Sequence, residues 1–220
     1  MFIVIEWIDG SGKWTQTELV KKELENEWFK VWALDFPQYE RESSYFVKQY
    51  LNWKYWKSVD AKVASLFYAL DRFDAKKDIE KTIEENDFVI SNRYMTSNLT
   101  HQGWKKWFVD KKLIEYLEDL EYNTFWIPKP DKVLFLDIDP DTAKILIKKK
   151  EQRDYIEDWK NEDIHEEDSE HLKNAFSVWE FLCSERDWQM ISCFNDNKKS
   201  INTLLSKKNI TNAIIEAIAS

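Results

Sequence analysis

Phe2-Ile3-Val4-Ile5-Glu6 is a short apolar run that leads directly into Trp7-Ile8-Asp9-Gly10-Ser11-Gly12-Lys13-Trp14-Thr15-Gln16. An apolar run of this length, ended by turn residues, reads as a buried strand. A glycine-bearing loop, a lysine and a helical pattern over Lys13–Glu27 follow it. This order decides the fold. It turns several backbone N–H groups toward one point at the positive end of a helix. Phosphate oxygens are what such a point holds, and Lys13 adds a mobile cation. Two positions break the pattern. Trp7 stands where backbone must approach phosphate and where no side chain is wanted. Trp14 takes the place of the hydroxyl that normally follows the lysine and meets Mg²⁺, so Thr15 supplies the nearest hydroxyl.

Outward from this stretch, strands and helices alternate. Strands are predicted at Phe2–Glu6, Lys30–Asp35, Phe88–Ser91, Val133–Asp137 and Gln189–Cys193. Helices are predicted at Lys13–Glu27, Arg41–Leu51, Ala61–Glu85, Lys111–Tyr122, Asp141–Lys150, Glu166–Glu185 and near Ser200–Ala219. The alternation implies an α/β fold, a five-stranded parallel sheet flanked by helices, with right-handed crossovers. Ligands then bind beyond the carboxyl ends of the strands. The 220 residues read as one domain, without internal repeat or low-complexity linker.

Composition narrows the function. The net charge of −9 argues against a nucleic acid or an anionic membrane as main partner. No apolar stretch has the length of a membrane span, and no signal peptide is seen. Cys183 and Cys193 lack metal-ligand or redox spacing and read as buried thiols, and three scattered histidines give no metal framework. The expectation is a soluble cytoplasmic protein.

Gly and Trp usage is abnormal: 3 Gly and 12 Trp in 220 residues, against a usual glycine share of about 7%. Nine tryptophans occupy positions with glycine chemistry: Trp7, Trp14, Trp28, Trp53, Trp56, Trp104, Trp107, Trp126 and Trp159. Trp28 ends the first helical pattern, where a cap glycine is expected. Trp126 precedes Ile127-Pro128-Lys129-Pro130, and the others fall in loop or turn composition. Trp179 and Trp188 sit where a large ring packs naturally, while Trp32 is ambiguous. The pattern suggests that UGA, a glycine codon in some bacterial lineages, has been read as Trp. The alternative is a genuinely Trp-rich variant.

Two further motifs carry chemistry. In Leu66-Phe67-Tyr68-Ala69-Leu70-Asp71-Arg72-Phe73, Tyr68 and Arg72 are four apart on a helix and share a face. A ring and a guanidinium together can stack a base and hydrogen-bond its edge. The plain alternative is a core tyrosine beside a surface arginine. Ser91-Asn92-Arg93-Tyr94-Met95-Thr96-Ser97-Asn98, with His101-Gln102-Gly103, puts Arg93 just past a strand, at the edge where phosphates gather. Its plain alternative is an ordinary surface arginine.

Together these motifs resemble the thymidylate (dTMP) kinase family over most of the chain. Ile5 to Lys13 is similar to that family's opening, with Trp in place of Gly. Phe36-Pro37-Gln38-Tyr39 resembles its Phe-Pro-Arg-Tyr segment. Asp71-Arg72, Asn92-Arg93-Tyr94 with Ser97 and Gln102, Pro130-Asp131 and Leu136-Asp137-Ile138-Asp139 also match. Arg153 with Asp163-Ile164-His165-Glu166 resembles its mobile lid, here about residues 148–166.

The resemblance implies a P-loop NTPase-type fold, ATP and Mg²⁺, dTMP as acceptor and a homodimer. Backbone of Trp7, Ile8, Asp9, Gly10, Ser11, Gly12 and Trp14, with Lys13, would hold ATP phosphates. Asp9 and Thr15 would lie near the metal. Tyr68 would stack on thymine and Arg72 would hydrogen-bond it. Arg93 and the segment Phe36, Pro37 and Tyr39 would position the acceptor phosphate. Ser97 and Gln102 would line that pocket, and Arg153 would reach the transferring phosphoryl. Asp9, Lys13, Arg93 and Arg153 are the implied catalytic set. Gln38 lacks the family's usual charge, and Asn92 replaces its more common Asp.

The implied reaction is transfer of a phosphoryl group from ATP to dTMP, giving dTDP. Alignment and charge neutralisation suffice for it, because the acceptor is already an anionic oxygen. The alternatives are another nucleoside-monophosphate kinase, such as an adenylate kinase, or a non-catalytic relic plugged by Trp7 and Trp14.

Overall fold

The computed structural model describes residues 1–6, 13–52, 54–55, 59–105, 108–151, 169–196 and 198–220. Trp7 to Gly12, Arg153, most of the 148–166 segment, Trp53, Trp56, Trp107 and Trp159 lie outside the described residues, as do the side chains of Lys13 and Trp14.

Five parallel strands form the sheet: β1 (Phe2–Glu6), β2 (Val31–Asp35), β3 (Phe88–Asn92), β6 (Lys132–Asp137) and β7 (Gln189–Ser192), in the order β2-β3-β1-β6-β7. All five residues of β1 are buried, as a central strand with partners on both edges and helices on both faces requires. From β1 the chain passes to β2 at the sheet edge, returns to β3, and crosses to β6. That reversal opens a crevice at the carboxyl ends of β1 and β3, the usual ligand site of such sheets.

Helix α1 (Lys13–Asn26) packs with α8 (Lys207–Ala219) on one side of the sheet. On the other lie α3 (Ala61–Glu85), α4 (Met95–Gln102), α5 (Lys111–Glu118) and α7 (Ser169–Glu185), with α2 (Tyr45–Leu51) beside α3 and α6 (Pro140–Glu151) after β6. Caps fix several starts. Asp60 accepts from the Val63 N–H at 2.9 Å, Asp110 from Leu113 at 3.2 Å and Ser206 from Asn209 at 3.2 Å. Trp179 is 2% exposed and stacks on Phe135 at 4.5 Å, with Trp188 5.2 Å away.

All five expected strands are present, and the Ala61–Glu85 helix has its expected bounds. The departures have physical reasons. Helix α4 was not expected, because its Thr and Asn side chains are buried for polar contacts and form no apolar stripe. The connection after Gly103 holds a short antiparallel hairpin, β4 (Trp104–Lys105) with β5 (Phe108–Val109). A Cβ on Gly103 would meet Leu99 O at 2.2 Å, so this glycine is required by space. The expected Lys111–Tyr122 helix widens into a π-turn at Asp119–Thr124. The expected Arg41–Leu51 helix opens as a 3₁₀ turn over Glu42–Ser44. The last helix starts at Lys207, because a Phe194–Leu204 bridge holds the preceding residues. Both cysteines are free thiols, and burial pushes Cys183 up to about 11 and Cys193 to about 12. Among the described residues no helix is long and apolar enough to cross a membrane.

Candidate active site

The carboxyl edge of the sheet gathers the candidate residues. Lys13 heads α1 directly behind β1, and Thr15 lies half-buried in its first turn. At the end of β2 come Asp35 and then Phe36 and Pro37, joined by a cis peptide bond. Phe36 is 3% exposed and packs edge-on against Tyr94 at 5.7 Å, whereas Tyr39 is 45% exposed. Asp71 of α3 fixes this segment. It accepts from the Gln38 N–H at 2.8 Å and from Ser43 Oγ at 3.0 Å.

Arg93 follows β3 with φ of 64°, a left-handed backbone that side chains rarely adopt. Strain of this kind collects where surrounding structure holds a functional group. Here the holder is Glu6, which ends β1 and is 1% exposed. Its carboxylate accepts from the Tyr94 N–H at 3.2 Å, Thr96 Oγ1 at 2.5 Å and Ser97 Oγ at 2.7 and 2.8 Å. Burial raises the Glu6 pKa above the ordinary value, against the lowering pull of Arg93 and these donors. The Arg93 guanidinium Nη1 lies 3.3 Å from Ser97 Oγ and 3.1 Å from His101 Nε2. Arg93 is therefore no ordinary surface arginine. Ser97 faces Glu6 and Arg93, so it supports the arginine. Gln102 is buried at the end of α4.

Tyr68 and Arg72 do share α3. Tyr68 is half-buried with its ring 6.3 Å from Tyr50. Arg72 is 3% exposed, which removes the surface-arginine reading. Its Nε and Nη2 donate to the two carboxylate oxygens of Glu121 at 2.5 and 2.6 Å. Asn98 Nδ2 donates to the same carboxylate at 3.0 Å, and Asn98 Oδ1 is buried without a hydrogen-bond partner.

Sequence reasoning did not single out Glu6, Asn98 or Glu121, and it quoted Asp71 only as part of the Asp71-Arg72 match. Asn98, four residues before Gln102, would have stood out once α4 was drawn as a helix. At the neighbouring edge, Asn92 Nδ2 donates to Asp35 Oδ1 at 2.7 Å, and Asn92 Oδ1 is a buried acceptor without partner. An amide fits beside Asp35 where a second carboxylate would repel it.

A five-stranded parallel sheet of this order, flanked by helices, places the chain among α/β proteins that bind ligands at the carboxyl edge of the sheet. A family profile described as Thymidylate kinase matches residues 5–185. The probable thymidylate kinase of Pyrobaculum aerophilum is 34% identical over 154 residues, 68% of this chain and 70% of its own. The thymidylate kinase of Prochlorococcus marinus NATL2A is 30% identical over 212 residues, 94% of each chain. The solved thymidylate kinase of Candida albicans shares the fold with a TM-score of 0.70 at 17% identity, covering 99% of this chain and 90% of its own. That of Ehrlichia chaffeensis gives 0.66 at 19% identity, covering 99% and 98%. The chain belongs to the thymidylate kinase family.

Proposed function

We infer that this chain transfers a phosphoryl group from ATP to dTMP, giving dTDP and ADP. The observation that carries the reading is the polar pair beside Glu121. Asn98 Oδ1 is an unsatisfied buried acceptor, and the Arg72 guanidinium shares the Glu121 carboxylate with the Asn98 amide. A thymine edge offers an N3–H donor flanked by carbonyl acceptors, the complement of that pair. Adenine and cytosine place an acceptor nitrogen where thymine has N–H, and so leave Asn98 Oδ1 unpaired. Unpaired buried polar groups are what make such sites reject near-isosteres. Tyr68 on the same helix supplies a ring for stacking.

In this reading Lys13 and the backbone of Trp7, Ile8, Asp9, Gly10, Ser11, Gly12 and Trp14 take the ATP phosphates. Arg93, pinned through Ser97 and Glu6, meets the acceptor phosphate with Phe36, Pro37 and Tyr39, while Gln102 lines the pocket and Arg153 closes from the 148–166 lid. One domain over 1–220 carries all of it. Mg²⁺ fits the donor set. Asn92 Oδ1 is an orphaned oxygen at the sheet edge and Thr15 a hydroxyl at the head of α1, with Asp9 as a third oxygen source. Bound there, Mg²⁺ neutralises phosphate charge.

A homodimer belongs to the same reading, in the cytoplasm. Tyr45, Phe46, Val63 and Leu70 are 39–48% exposed on α2 and α3, and Phe46 stacks on Phe67 at 5.5 Å. A second copy is the occupant expected for this apolar face. Thermal scanning with ATP and with dTMP tests the function. Ligand at about 100 times its dissociation constant adds about 2.7 kcal/mol to the folded state. A rise in the midpoint with both nucleotides is expected. No rise with either would favour the non-catalytic relic.

A further inference from the structure

Three non-glycine residues among those described have left-handed backbone: Trp28 with φ 70°, Arg93 with 64° and Trp126 with 58°. Arg93 has a site to hold it. The two tryptophans do not, and both belong to the nine that stand in glycine chemistry. Trp28 closes α1 in a Schellman turn. The Phe29 N–H bonds Leu24 O at 3.2 Å and the Trp28 N–H bonds Glu25 O at 3.0 Å, which is the geometry that selects glycine between them. Trp126 sits in the turn closed by Phe125 N–H to Leu120 O at 2.8 Å and Ile127 N–H to Glu121 O at 3.0 Å. Their rings gain nothing in return: Trp28 is 95% and Trp126 69% exposed. Of the tryptophans judged natural from sequence, Trp179 lies in the core and Trp188 packs against it. Trp104 lies in a strand against the core and shows no glycine demand of its own.

The structure assigns glycine to positions 28 and 126 of the protein as its own cell makes it, encoded by UGA. The codon reading that fits positions 28 and 126 offers the same account of positions 7 and 14, which share their glycine chemistry in sequence. At positions 7 and 14 it returns to the phosphate loop the bare backbone that close approach requires. That last consequence rests on the proposed function; the turns at 28 and 126 do not. The gene's codons are the first test. UGA at positions 7, 14, 28 and 126 with UGG at 179 and 188 is expected, and UGG at 28 and 126 overturns the assignment. The second test compares the Trp-bearing chain with Trp28→Gly and Trp126→Gly. Relief of the left-handed strain raises each thermal midpoint by roughly 2–4 °C. An unchanged or lower midpoint in both contradicts the assignment whatever the enzyme's activity.

A separate observation concerns His101 and His171. A guanidinium only donates, so the 3.1 Å contact from Arg93 Nη1 makes His101 Nε2 an acceptor. The proton of His101 is then on Nδ1, which lies 3.1 Å from His171 Nε2 and donates to it. One hydrogen-bonded line runs from α7 through α4 to Arg93. We propose that His101, backed by His171, is a positioning residue that aims the Arg93 guanidinium at the acceptor phosphate, a role that rests on the proposed function. His101→Leu raises the KM for dTMP about 10-fold or more while the KM for ATP holds. His101→Gln, whose amide oxygen can still accept, restores most of it. His171→Leu gives a smaller effect of the same kind. Equal KM values for dTMP in wild type and either leucine variant overturn the proposal, as does a Gln variant no better than Leu. Absence of any dTMP turnover in wild type would instead overturn the function on which it rests.

Discussion

Removing Glu121 tests the site at its most enclosed point. Arg72 is 3% and Glu121 0% exposed, and two short hydrogen bonds join them. Losing one partner of a buried pair strands the other charge, at a cost of about 3–5 kcal/mol. Glu121→Leu also removes one of the two acceptors of Asn98 Nδ2, which keeps Ser65 O. For a chain of this size the loss lowers the melting midpoint by roughly 6–20 °C. The double variant Arg72→Met with Glu121→Leu removes both charges and recovers most of that stability, while dTMP affinity stays lost because the donor to the base is gone. Urea unfolding of both singles and the double gives the coupling, and dTMP titration gives the functional arm. A Glu121→Leu cost under about 1 kcal/mol would refute the reasoning, since only an exposed or unpaired arginine is that cheap to orphan.

Lys13→Ala abolishes phosphoryl transfer and leaves the unfolding curve within about 0.5 kcal/mol of wild type; near-normal turnover would contradict the phosphate role. Asn98→Leu raises the KM for dTMP about 10-fold with a smaller change in the KM for ATP, read by steady-state kinetics. Glu6 has its folded pKa above its unfolded one because burial disfavours the charge. Its contribution to stability is therefore greatest below the ordinary carboxylate range and falls as pH rises through the folded value. The stability of wild type relative to Glu6→Gln should decline from about pH 4 upward, measured by urea unfolding at several pH values; a difference that grows with pH would reverse the sign.

The sheet was legible because its strands are apolar runs between turn residues, and β1, buried at every position, is the plainest of them. Arg72 and Arg93 stand out in the sequence because their offsets from strands and from each other carry a mechanism, and the structure buries Arg72 and holds Arg93 beside Ser97 and His101. What stayed hidden was the polar support. Glu6, Asp71 and Glu121 act on residues 91, 33 and 49 positions away, and no local pattern encodes such pairings. Helix α4 escaped because it is buried by polar contacts, not by an apolar face. The glycine-like character of position 28 was readable from helix-end chemistry and that of position 126 from its loop sequence, and the backbone angles at both agree with it.

An ADP-release assay coupled to NADH oxidation, run with dTMP, dUMP and AMP as acceptors, puts the central claim to its sharpest trial. Turnover with dTMP, none above background with AMP, and loss of the dTMP signal in Lys13→Ala are the predicted results. Turnover with AMP equal to that with dTMP, or ADP release indifferent to dTMP, would contradict the account.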